Sequence, residues 1–205
     1  MGKLEQRKRN RNKRKTKSFV VIGCEGKNKT ETTYFKNYIG RECIVKFSTG
    51  IHTDPVGMAN DLVDFLKTED LGIEHGDKVY LLIDTDVNEN KQEQIDKAKE
   101  ICINNNIELV TSTPAFEFFY MLHFDYTTKC YQSSKQIKSE LRKKIPKYSE
   151  KMNVYPLIYK QTEKAIENAK KVEKFHLKNN QNIDSDKANP HTGAYRVVEE
   201  ISSGL

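Results

Sequence analysis

The sequence predicts an α/β protein built on a mostly parallel sheet of about four strands. Short apolar runs alternate with segments of helical periodicity in the first half of the chain, and helical patterns alone follow Pro114. Two of the apolar runs, Phe19 to Cys24 and Val79 to Ile83, lead directly into carboxylates. Alternating strands and helices are typical of parallel sheets, whose functional sites lie at the carboxyl ends of the strands. The fold class therefore also predicts where a site would lie.

The elements of the first half follow from hydrophobic periodicity and capping signals. Thr30 to Ile39 has helical spacing, and we expect Ile39 on its buried face. Asp54-Pro55 supplies an N-cap and a first helical position for a second helix. The remaining predicted elements are the strands Ile44 to Phe47, Val79 to Ile83 and Ile107 to Val110 and the helix Gln92 to Ile103.

The second half predicts helices that complete the same domain. Phe116 to Phe124 holds five aromatic residues in nine and predicts a buried helix, whereas the polar, lysine-rich residues 125–155 predict an insertion with short helices. Lys160 to Lys178 is amphipathic, with Phe175 on its apolar face, and Asn189-Pro190 predicts the start of a closing helix. We therefore divide the chain into a basic arm (1–17), an α/β core (18–124) and a helical insertion with C-terminal helices (125–205).

Composition limits the class of protein. At 205 residues, with 36% hydrophobic and 31% charged residues, the chain is long enough for one core under a highly charged surface. No apolar run approaches the roughly 20 residues of a membrane span. The first residues lack the apolar segment of a secretory signal, so we expect a cytoplasmic protein. The spacing of Cys24, Cys43, Cys102 and Cys130 suggests neither a zinc site nor a disulfide framework.

The net charge of +6 is concentrated at one end of the chain. Residues 1–17 carry nine Lys or Arg against one Glu, a local charge of +8, which leaves −2 for the other 188 residues. Such a segment has too few apolar residues to fold alone, so we expect it to be disordered until nucleic-acid phosphates order it. A solubilising tail or a contact with a protein partner is the alternative. The candidate phosphate-binding residues are Arg9, Arg11, Lys13, Arg14, Lys15, Lys17 and, after the first strand, Lys27.

Carboxylates at the ends of two predicted strands indicate a cation site. Glu25 follows the first strand, and Asp84 and Asp86 end the third. Strand alternation sends residues two apart to the same face, so we expect both aspartates to converge on one point, with Asn88 adding an oxygen. Crowded carboxylates are costly unless a hard divalent cation or a shared proton neutralises them. The alternative is that these are ordinary turn residues where strands stop.

The aromatic helix carries two further candidates. Glu117 is a lone acid in an apolar segment and therefore needs a partner. It is either a further metal ligand or general base, or a carboxylate satisfied by backbone amides or a lysine. His123 on the same helix is more typical of a hydrogen-bonded core histidine than of a ligand.

Two competing motifs point to other chemistry. Gly23 to Thr30 reads G-C-E-G-K-N-K-T, one residue short of the phosphate-binding loop of an NTPase. Against that interpretation, Asn28 replaces the glycine that lets phosphate approach, and Glu25 places negative charge inside an anion-binding loop. Asp84-x-Asp86 also matches the nucleophile and acid of haloacid-dehalogenase-type phosphatases. Those enzymes place the motif on the first strand and have Thr or Val where Asn88 stands.

Several motifs in order resemble the RloB family. They are Cys24-Glu25-Gly26 with Thr30-Glu31 and Tyr34-Phe35, Asp84-Thr85-Asp86, Pro114-Ala115-Phe116-Glu117 with Leu122-His123-Phe124, and Asn189-Pro190 with Thr192. The resemblance implies a Toprim-like fold, shared with topoisomerases, bacterial primases and OLD-type nucleases. It also implies that Glu25 acts in acid/base chemistry or metal binding and that Asp84 and Asp86 bind magnesium. The family is similar to components of bacterial anti-phage modules that are often encoded beside an ATPase, sometimes within restriction-modification loci.

Together these observations favour a metal-dependent nuclease acting on DNA or RNA, with tRNA among the candidate substrates. Glu25, Asp84 and Asp86 would hold Mg²⁺ or Mn²⁺, Lys27 or Lys29 would stabilise developing negative charge, and Glu117 is a further catalytic candidate. Secondary candidates are Glu31, Asn88 and His123. The alternative from another class is a non-catalytic adaptor that binds nucleic acid and an ATPase, and an NTPase is the third.

Overall fold

The computed structural model describes residues 19–25, 30–39, 44–48, 50–72, 76–86 and 91–203. The basic arm and the candidates Lys27, Lys29 and Asn88 lie outside these ranges. The strands are β1 (Phe19–Gly23), β2 (Ile44–Phe47), β3 (Lys78–Asp84), β4 (Glu108–Thr113) and β5 (His191–Thr192). The α-helices are α1 (Thr30–Phe35), α2 (Pro55–Glu69), α3 (Gln92–Asn104), α4 (Glu117–Leu122), α5 (Ser134–Lys144), α6 (Tyr155–Ile158), α7 (Thr162–Lys178) and α8 (Ala194–Ser203).

The strands form one sheet in the order β2-β1-β3-β4-β5. The first four pair in parallel, and β5 is antiparallel to β4. This arrangement confirms the predicted mostly parallel α/β fold. The carboxyl ends of β1 and β3 are neighbours, with Gly23 beside Leu81. Residues that follow these two strands therefore start from one edge of the sheet.

The fifth strand was not predicted, and the predicted start of the closing helix is wrong. Asn189 does not cap α8; its side chain bonds both the N–H and the carbonyl of Tyr131. His191 and Thr192 pair with β4 as β5, and the Thr192 hydroxyl accepts the N–H of Ala194 at 3.2 Å, at the start of α8. A two-residue strand is too short to give a hydrophobic period, so periodicity cannot reveal it.

Helices cover both faces of the sheet, as the pleat of the strands requires. Alternate residues of a strand face opposite sides, so Val20 and Ile22 belong to one buried cluster and Val21 to the other. Helices α2 and α3 pack in the cluster that contains Val21. The opposite cluster is larger and includes α1, α4, α7 and α8, with Tyr34 in contact with several aromatic rings.

Two predicted inward positions are wrong. Ile39 is 53% exposed because α1 ends at Phe35 and a 3₁₀ turn (Lys36–Tyr38) changes the residue period. Phe175 is 41% exposed because the buried face of α7 runs through Ala165, Ala169, Val172 and His176, one position away from it.

The C-terminal elements enclose the aromatic helix. All six residues of α4 are buried, and α5 and α7 both pack against it. The residues from α5 to α8 share the cluster that covers this face of the sheet. Among the helices that the structure describes, none is both long and apolar enough to cross a membrane.

Gly23→Ala is expected to destabilise the fold by about 1–3 kcal/mol. A Cβ at Gly23 would lie 2.9 Å from Leu62 Cδ2 and 3.0 Å from Leu81 Cδ1, where α2 packs closely on β1. Denaturant unfolding measures the loss, and Gly193→Ala is the control because its nearest contact is 3.2 Å. Leu62→Val in the same chain should recover part of the loss. Equal stability of Gly23→Ala and wild type would contradict this packing.

Candidate functional site

A polar cavity of about 700 Å³ opens at the carboxyl edge of the parallel strands. Among the residues that the structure describes, its charged lining is strongly acidic and consists of Glu25, Glu31, Asp54, Asp84, Asp86, Glu117 and Glu150 with two lysines, Lys91 and Lys138. The strand-end candidates Glu25, Asp84 and Asp86 are thus brought to one cavity together with Glu117 and Glu31. Seven carboxylates against two ammonium groups give this described part of the lining a large excess of acidic groups.

Asp84 is held in place by a backbone hydrogen bond. It is the last residue of β3, and its Oδ1 accepts the backbone N–H of Phe116 at 2.9 Å, which fixes it beside the start of α4. Burial is the main reason that its pKa is raised well above the ordinary value, and the nearby charges of Glu31, Glu117 and Asp86 raise it further. The site therefore favours a proton or a cation at Asp84.

Asp86 reaches the cavity by a different route from the one predicted. Strand alternation does not place it, because β3 ends at Asp84 and Asp86 has a left-handed backbone with φ 43°. Thr85 remains tied to β4, with its N–H bonded to Ser112 and its hydroxyl donating to Thr113. The chain then turns, and the Asp86 carboxylate pairs with Lys91 at 3.0 Å.

Glu117 is buried at 2% exposure and held by three groups. Its Oε1 accepts hydrogen bonds from the Tyr148 hydroxyl at 2.7 Å and the Thr30 hydroxyl at 3.2 Å, and Lys138 Nζ lies 3.8 Å away. The predicted alternative to a metal ligand or general base was a carboxylate satisfied by backbone amides or a lysine. A lysine partner is present, but hydroxyl groups donate to Glu117 where backbone amides were expected. Burial and the Glu117 charge together raise the pKa of Tyr148, so its hydroxyl stays a donor.

Lys138 is a member of the site that the sequence analysis missed. Its Nζ lies 2.6 Å from Glu150 Oε1 as well as 3.8 Å from Glu117. Burial lowers the pKa of this ammonium, but Glu117 and Glu150 outweigh that effect and raise the pKa overall, so Lys138 is charged. Lys138 comes from α5, in the insertion, and no local sequence motif connects it with Glu117. Its place in the site depends on the packing of α5 against α4, which the sequence pattern does not show.

Glu31 completes the inner wall, and Cys24 lies near it. Glu31 lies in α1 at 6% exposure and lines the cavity. Burial raises the pKa of the Cys24 thiol to about 12, and the neighbouring Glu31 charge adds to the shift. Its Sγ lies 3.1 Å from the Thr32 hydroxyl. Cys24 is therefore a neutral thiol rather than a nucleophile.

The family model described as RloB-like protein matches residues 20–201, nearly the whole chain. The chain belongs to the RloB-like family. The resemblance carried by the motifs around Glu25, Asp84 and Glu117 is thereby confirmed. No curated protein and no solved structure matches the chain.

The oxygen ligands that this RloB-like chain offers are of the chemical type that a hard divalent cation prefers. Glu25, Asp84 and Asp86 supply carboxylate oxygens to one cavity, and such oxygens are the ligands that Mg²⁺ and Mn²⁺ prefer. Within the described ranges, no three His, Cys, Asp or Glu side chains are gathered closely enough to hold an ion as they stand. Binding would therefore require small rearrangements, such as release of Lys91 by Asp86.

His123 does not line the cavity. It is 1% exposed, and its Nδ1 lies 2.9 Å from the carbonyl oxygen of Phe119, one turn earlier. Nε2 has no hydrogen-bond partner in the part of the chain that the structure describes. Burial lowers the pKa of His123 to about 4, so the ring is neutral. This arrangement is typical of a core histidine.

His123 is expected to make the protein sensitive to mild acid. Its pKa is about 4 when folded but about 6.5 when unfolded, so only the unfolded state gains the proton between these values. Stability is therefore lost as pH falls from about 6.5 towards 4, by on the order of 3 kcal/mol in total. Denaturant unfolding at pH 7 and pH 5 tests this in wild type and His123→Phe. Between pH 7 and pH 5, the free energy of unfolding should fall less in His123→Phe than in wild type. An equal fall in both proteins would contradict the lowered pKa of His123.

Proposed function

We propose that this chain is a divalent-metal-dependent nuclease that cleaves phosphodiester bonds of DNA or RNA, tRNA included. The observation that carries the proposal is the cavity at the strand carboxyl edge, where the described lining holds seven carboxylates and two lysines. A phosphodiester cannot enter such a cavity against that charge unless cations enter with it. The same carboxylates are suitable ligands for those cations.

Glu25, Asp84 and Asp86 are the residues that would hold Mg²⁺ or Mn²⁺. When bound, the ion supplies positive charge that polarises a phosphate and lowers the pKa of water. Asp84 is fixed for this purpose by the N–H of Phe116, which occupies one lone pair and sets the direction of the carboxylate. Glu117 is held by Tyr148 and Thr30 and places a fixed negative charge beside Lys138.

The biological setting of the proposal follows from the family. We propose a Toprim-like catalytic core that works in the cytoplasm as the effector of an anti-phage module, through abortive infection or beside restriction-modification, with an ATPase as partner. The basic arm and Lys27 and Lys29, which lie outside the described residues, would supply further phosphate contacts. A cytoplasmic nuclease is toxic without control, so we expect low activity until a partner releases it. Strong toxicity on modest expression of the chain alone would contradict that control.

A non-catalytic adaptor is the second candidate, and the internal ion pairs favour it. Lys91 pairs with Asp86 and Lys138 with Glu117, so two of the acids already have a cation from the same chain. An adaptor would bind nucleic acid and the ATPase without needing the metal ligands. The NTPase alternative has less support, because the Thr30 hydroxyl, where that motif places a magnesium ligand, donates to Glu117 instead.

Removing the two strand-end charges is expected to abolish cleavage. Asp84→Asn/Asp86→Asn removes two proposed metal ligands, so the rate on plasmid, single-stranded DNA or total tRNA with Mg²⁺ or Mn²⁺ should fall more than about 100-fold. Asp64→Asn/Asp96→Asn is the control, because both of its aspartates lie on exposed surfaces of α2 and α3.

The fold should survive the double substitution. The amide oxygen of an asparagine at position 84 can still accept the Phe116 N–H, and loss of a buried charge should raise the melting temperature. Cleavage that persists in the double variant would rule out these ligands. A wild type that stays inactive with its ATPase partner, while still binding nucleic acid, would establish the adaptor instead.

A further inference from the structure

Positive charge in the folded part of the chain is concentrated in one segment. Residues 125–155 carry eight Lys or Arg against three acids, a net charge of +5, whereas residues 18–124 carry a net charge of −8. The two regions meet at the cavity, since α5 contributes Ser134 and Lys138 to its wall and the sheet contributes Asp84. An acidic site is thus bordered by a basic segment.

Three cations of α5 lie on one side of that helix. Lys135, Lys138 and Arg142 are spaced i, i+3 and i+7, which places them in a row about 10 Å long. We call these three residues the α5 row. Lys138 is the inner member and lines the cavity, whereas Lys135 and Arg142 are exposed.

The α5 row differs from the other exposed cations of the same helix. Lys143 pairs with Glu140 at 2.9 Å and Lys144 pairs with Asp125 at 2.7 Å, so their charges are already balanced. In the part of the chain that the structure describes, neither Lys135 nor Arg142 has a carboxylate within ion-pair distance. The two exposed charges of the row are therefore available to an external anion.

Arg142 is also tied to the site itself. Its Nε donates to the carbonyl oxygen of Tyr148 at 3.3 Å, and the hydroxyl of the same tyrosine donates to Glu117 at 2.7 Å. A neighbouring face of α5 is anchored by the fully buried Ile137 and Leu141. The row is consequently held in a fixed position relative to the acidic cavity.

We propose that the α5 row binds the phosphate backbone of the nucleic acid next to the scissile phosphate. This inference rests on the nuclease function proposed above and names the surface that delivers its substrate. The row spans about the axial length of three nucleotides of one strand. Lys138 contacts the phosphate nearest to the carboxylates, and Lys135 and Arg142 contact its neighbours. Backbone contacts of this kind set affinity and register without selecting a sequence.

The test compares two charge-matched pairs of substitutions on the same helix in the full chain. Lys135→Gln/Arg142→Gln removes two row charges but leaves Lys138 in the cavity, and Lys143→Gln/Lys144→Gln removes two balanced charges. The probes are fluorescein-labelled single-stranded DNA and RNA oligonucleotides of equal length, and fluorescence anisotropy in Ca²⁺ gives Kd over a series of salt concentrations. Thermal melting verifies the fold of each variant, and Lys135→Arg/Arg142→Lys tests for rescue by retained charge.

The row variant should bind about tenfold or more weakly than wild type at moderate salt, with the slope of log Kd against log salt reduced by roughly 1.5. The control pair should stay within about twofold of wild type, and so should the Lys135→Arg/Arg142→Lys variant. Equal loss in both Gln pairs would mean that only net charge matters and would overturn the proposal. Unchanged binding by the row variant would also overturn it.

Cleavage in Mg²⁺ separates this inference from the function on which it rests. If wild type binds the probes but does not cleave them even with its ATPase partner, the nuclease function fails while the binding comparison still decides the role of the row. If wild type cleaves and the row variant keeps the same Kd, the nuclease stands and the row proposal fails.

Discussion

The crowding of carboxylates around Asp84 is the constraint on which the rest of the structure depends. Parallel pairing of β1 with β3 places Glu25 and Asp84 at the same edge, and α1 and α4 bring Glu31 and Glu117 to the same cavity. Burial and the neighbouring charges raise the pKa of Asp84, so the folded chain holds a site that is electrostatically incomplete by itself.

The surrounding structure is arranged to tolerate that charge. The Phe116 N–H holds Asp84, hydroxyls from Thr30 and Tyr148 hold Glu117, and the ammonium of Lys138 lies between Glu117 and Glu150. These partners come from the start of α1, from the residue before α4 and from the insertion. The buried aromatic cluster and helix α7 fix α4 in turn. The C-terminal half of the chain is therefore part of the site and not a separate cover.

Much of this organisation could be predicted from residue patterns, and the exceptions have physical causes. The Asp54 N-cap, the strand Ile44–Phe47 and the carboxylates after two strands depend on local sequence, and the structure contains all of them. The two-residue β5 and the left-handed Asp86 are set by tertiary contacts that leave no period in the sequence. The same is true of Lys138, which is far from Glu117 in the sequence and meets it only because α5 packs on α4.

We propose that the acidic cavity is a divalent-cation site, and direct calorimetric titration of Mn²⁺ tests this without reference to any substrate. We expect saturable binding to the wild-type chain, similar binding to Asp64→Asn, and loss of that binding in Asp84→Asn. Absence of Mn²⁺ binding by a folded wild type, or equal binding by Asp84→Asn, would contradict it. Asp84 would then be neutralised by its own proton, and Lys91 and Lys138 would be cations of the same chain that offset its neighbours.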